Sequence, residues 1–96
     1  MAQQLCEKRD FDFVLWEQFD NEQFLSHEKY EAFNKKTCDM ILTEARKIAI
    51  KELLPTMAEG DQIGLKFENG VVTTPDCFKP VFELLKEGEW QNLGIP

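Results

Sequence analysis

Carboxylates crowd the first third of this chain, among them Asp10, Asp12, Glu17, Asp20, Glu22, Glu28 and Glu31. Paired carboxylates can do general acid–base work, but only where burial or a charged neighbour moves a pKa toward the working pH. In a chain with 30% charged residues such pairs arise by chance, and these are read as solvated surface. Gly60, Asp61 and Gly64 raise a second possibility, a loop that cradles phosphate. No GxGxxG or GxxxxGKS/T pattern follows a strand here; GDQIG follows a helical stretch, so it is read as a turn. Cys6, Cys38 and Cys77 are odd in number and widely spaced, with no CxxC pair and His27 as the single histidine. They are read as free thiols of a reducing compartment rather than as zinc ligands or a Cys–His catalytic pair. A small enzyme working through Cys77 or His27 is the least favoured of three function classes.

With so little residue chemistry, the elements that would position it become the main source of information. A length of 96 residues suits one domain with a thin core, one that hides roughly 60 to 68% of the unfolded surface. A net charge of −7 repels phosphate backbones, which argues against a nucleic-acid partner. No apolar run reaches membrane-spanning length, and MAQQLCEKRD lacks the apolar stretch of a signal peptide, so the expectation is a soluble, cytoplasmic protein.

Residues 1–10 are polar and expected to fray. From Phe11 an aromatic arm begins, with Phe13, Trp16 and Phe19 three apart on one expected helical face and Phe24 beyond. So short a helix is unstable alone, so the arm must lie against the rest of the domain or clasp another one. Phe13, Trp16, Phe19 and Phe24, together with Trp90, are therefore the candidate interface residues. Ser26 is expected to cap a short helix over 26–33, placing His27 exposed in its first turn.

A long amphipathic helix is predicted over 34–57, capped by Asn34. Cys38, Ile41, Leu42, Ala45, Ile48, Ala49 and Leu53 form its apolar stripe, Met40 and Ile50 lie off it, and Pro55 is expected to kink or end it at Leu54. Residues 60–74 read as a turn and a β-hairpin around Asn69-Gly70, the signature of a type I′ turn. A lone hairpin is marginal in water, so this one is expected to rest on helices. Thr74-Pro75-Asp76 is a helix-start signal for a final helix over 75–88, with Phe78, Val81, Phe82 and Leu85 as its stripe, a bend at Pro80 and a stop at Gly88. The fold class is mainly α: a small helical domain with one long amphipathic helix, one short β-hairpin and a C-terminal helix.

Taken in order, FVLWEQF, then ELLPTMAEGDQIG closing a long helix, then FENGVVTTPDCF and FELLKEGEW, the chain resembles the N-terminal region of acyl-CoA dehydrogenases, in the branch with an extra N-terminal extension. The resemblance runs from about Arg9 to Pro96 and rests most on Pro55, Gly60-Asp61, Gly64, Gly70-Val71, Thr73-Thr74-Pro75, Gly88 and Trp90. Gly88-Glu89-Trp90 stands where the branch often has Gly-Gly-Trp, and Pro80 is a departure within the last helix.

The resemblance implies an enzyme of fatty acid metabolism that oxidises the Cα–Cβ bond of an acyl-CoA thioester, with FAD as hydride acceptor and a carboxylate as base. It places the catalytic glutamate and most flavin contacts beyond Pro96. This chain then carries no catalytic, cofactor-binding or metal residue and no cofactor of its own, and FAD belongs to the full-length enzyme. Its partners would be the remaining domains or a second copy, and the abrupt finish after Trp90 is expected to be a truncation. A stand-alone helical module for protein–protein interaction is the alternative.

Overall fold

A computed structural model describes residues 5–95. The chain is mainly helical and divides into two compact units, one ending at Ile50 and the other starting at Lys51.

In the first unit, helix α1 (Lys8–Asp12) closes with an ion pair between Lys8 Nζ and Asp12 Oδ2 at 2.9 Å, the helical i, i+4 spacing. It starts inside the segment expected to fray, of which residues 1–4 lie outside the described residues. The chain then widens into a π turn over Phe13–Gln18, whose final N–H, that of Phe19, donates to the Val14 carbonyl at 3.2 Å. Asp20, with φ 46°, reverses the chain, and Asn21 caps the turn by donating to the Leu15 carbonyl from both its backbone N–H and its side-chain amide.

Helix α2 (Glu22–Leu25) follows, and the Ser26 hydroxyl closes it by donating to the Gln23 carbonyl at 2.8 Å. The expectation that Ser26 opens a helix is thus corrected. The next element is a single 3₁₀ turn, Glu28–Tyr30, capped by the His27 ring, whose Nδ1 accepts from the Lys29 N–H at 3.1 Å. A ring nitrogen replaces the expected hydroxyl because Ser26 is already turned back toward α2.

Helix α3 (Lys35–Ile48) is capped as expected: Asn34 Oδ1 accepts from the Thr37 N–H at 2.8 Å. Ile48 is buried, Cys38, Ile41, Leu42 and Ala45 are half-buried, and Lys35, Lys36, Glu44 and Lys47 face water. Arg46 ties the N-terminal stretch to α3 by donating from Nε to the Cys6 carbonyl at 3.2 Å. Past Ile48 the helical hydrogen bonding widens to a π turn, Ala49–Leu53, within which the two units meet in sequence.

The second unit continues with helix α4 (Leu54–Ile63), so Pro55 neither ends nor confines the helix to 34–57. Proline has no N–H for the carbonyl four residues back, and its ring crowds that carbonyl. The wide turn directly before Pro55 opens the ladder there and makes room for the proline at the second position of α4. Gly60 lies within α4 and is buried; Gly64, at φ 71°, is the residue that ends it. The turn expected around both glycines is therefore confined to the second.

Strands β1 (Lys66–Glu68) and β2 (Val71–Thr73) pair antiparallel with Phe67 opposite Val72, and Asn69 and Gly70 adopt φ 51° and 77°, as a type I′ turn requires. Every residue of both strands is exposed, which overturns the expectation that the hairpin rests on helices. Cross-strand pairing and the turn hold it within the chain.

Helix α5 (Phe78–Glu87) starts later than Thr74. Pro75 and Asp76 instead form a preceding turn, with the Phe78 N–H donating to the Pro75 carbonyl at 3.3 Å. This delay puts Pro80 in the first turn of α5, where a proline costs no intrahelical bond. Gly88 ends the helix, Glu89 turns left-handed at φ 56°, and a 3₁₀ turn, Trp90–Gly94, follows.

Candidate interaction surface

The residues that might have done chemistry are not arranged for it. Gly60 and Asp61 sit in the last turns of α4, at the negative end of its dipole, which is the wrong end to hold a phosphate. Partial burial pushes the Cys77 thiol up from its ordinary value, and the Glu59 carboxylate adds to the shift. A thiol so placed stays protonated at neutral pH and is no activated nucleophile. His27 is engaged as a cap, and among the described residues no three His, Cys, Asp or Glu side chains are grouped to hold a metal.

What each unit does present is apolar surface. In the first, the π turn explains how the aromatic arm is displayed. Its hydrogen bonds span five residues, so the turn is wider than an α-turn and side chains three apart no longer share one face. Phe13 and Phe19 are accordingly 47% and 57% exposed, while Leu15 and Trp16 turn inward. Phe24, on α2, is also 57% exposed.

Trp16 lines a cavity of ≈ 500 Å³ with Arg9, Asp12, Glu22, Lys35 and Asp39. The Lys35 ammonium stands 5.6 Å from the indole centroid, within cation–π range. The indole N–H and Asp39 Oδ1 are both shielded from water without a hydrogen-bond partner. Arg9 pairs with Glu17 at 2.8 Å and Lys35 with Glu22 at 4.0 Å; all four side chains are exposed, so these pairs contribute little.

In the second unit, Trp90 is half-buried and forms one wall of a groove of ≈ 570 Å³ with Phe82, Leu85, Lys86 and Gln91. Phe82 also lines an adjoining groove of ≈ 390 Å³ with Thr74, Phe78, Lys79 and Glu83. It stands between the two grooves at 64% exposure. Phe67 is the most open large side chain of the hairpin, at 72%.

Of the five interface residues read from the sequence, four lie in the first unit, where Trp16 faces inward and the three phenylalanines face out. Trp90 belongs to the second. Phe67, Phe78 and Phe82 were read as hairpin and core-stripe residues, and their exposure had one signal in the sequence. A chain of 96 residues builds only a thin core, which leaves more of its apolar side chains at the surface.

No protein-family model matches this chain, and no curated protein matches it.

Proposed function

We propose that this chain is the N-terminal helical portion of an FAD-dependent acyl-CoA dehydrogenase, where it flanks the acyl pocket and braces the subunit without taking part in the chemistry. The observation that carries this reading is the apolar surface left open on α5 and on the hairpin, with Phe82 and Phe67 largely exposed while Val81 is the buried side chain of α5. A surface of this kind is what a domain shows when more protein normally covers it. The order of the elements supports the same family: aromatic arm, long helix, hairpin, last helix.

When bound, the flavin would accept the hydride that leaves the acyl-CoA. The residues here do not fit that group, because the glycine-bearing segment lies at a helix C-terminus and offers no row of N–H donors to its pyrophosphate. This chain's contribution is then to pack and to exclude water.

The test is made on the natural protein, recovered with an antibody raised against α3. The expected product is a polypeptide several-fold longer than these 96 residues, yellow, and bleached by an acyl-CoA in the absence of oxygen. A colourless product, of this length or longer, overturns the proposal. The exposed phenylalanines of the arm favour one second reading, a stand-alone interaction module, for which the natural product is a short colourless chain that self-associates through Phe13, Phe19 and Phe24.

A further inference from the structure

We draw no further inference here: the strongest candidate, the apolar face that Phe78, Phe82 and Trp90 form along α5, carries nothing because nothing in the structure shows what covers it.

Discussion

The ring of Phe78 lies against Gly60, so close that a Cβ built on the glycine would stand 2.8 Å from Cε1. This contact joins α5 to α4 within the second unit and explains why a residue unfavourable in a helix occupies the interior of one. At an open helical site, Gly→Ala stabilises by about 0.5–1 kcal/mol. Gly60→Ala is expected instead to destabilise by about 1 kcal/mol, since the ring must move. In a Phe78→Ala background the same change should become stabilising. Urea unfolding of the four proteins checks this, and equal effects of Gly60→Ala in both backgrounds would refute the contact.

Gly70 has nothing within 4 Å of a hypothetical Cβ, yet its φ is 77°. Gly70→Ala therefore introduces backbone strain without a clash and should weaken the hairpin by about 1–2 kcal/mol. The readout is the Phe67–Val72 cross-strand NOE, which should fade while the α3 signals persist. An unchanged NOE intensity would show that the turn tolerates a side chain.

Removing the Asn34 cap leaves the Thr37 N–H without its side-chain acceptor. Asn34→Ala should lower stability by about 1 kcal/mol, whereas Asn34→Asp should hold it. Thermal unfolding followed by circular dichroism separates the two, and an equal loss in both variants would mean that the amide side chain acts in some other way.

Lys79 Nζ donates to Asp76 Oδ1 at 2.7 Å, and this bond, with the lysine charge, holds the Asp76 carboxyl below its usual value of 3.8. A carboxyl whose folded-state pKa is depressed contributes stability above its unfolded-state pKa and loses it as pH falls through the folded one. The pair is exposed, so the visible effect is the titration itself. Lys79→Met should move the Asp76 carboxyl carbon titration in NMR upward toward 3.8; a midpoint that stays put would show that the lysine is not the cause.

Val81 and Phe82 are neighbours on α5 with opposite surroundings, 8% and 64% exposed. Val81→Ala should cost about 1–2 kcal/mol in this chain, and Phe82→Ser no more than about 0.5 kcal/mol. If the proposed parent enzyme covers this face, Phe82→Ser should be strongly destabilising there. A large effect of Phe82→Ser in the short chain would place Phe82 in the core and remove the main support for the proposal.

The helices and hairpin were legible because each rests on local chemistry. The α3 stripe follows the helical repeat, Asn34 is a strong cap, and Asn69-Gly70 admits few turns other than the one found. The displaced boundaries come from competition between local rules. Thr74-Pro75-Asp76 carries every mark of a helix start, but its first residues form a turn instead. Pro55 marks a break that the preceding π turn absorbs. The display of the arm was not legible, because a repeat of three reads as a face only if the turn is an α-turn. Exposure at Phe67 and Phe82 is a property of what surrounds them, which a stripe of apolar letters does not encode.

The hairpin turn also has a chemical lifetime. Asn69 is exposed, and the residue after it has no side chain to obstruct its amide nitrogen from closing on the Asn69 carboxamide. Ageing of the polypeptide by deamidation is therefore expected to begin there, and isoelectric focusing of stored protein would reveal it as an added negative charge. Where the ring reopens to isoaspartate, the backbone gains an extra carbon within the turn, and the Phe67–Val72 register can no longer be kept.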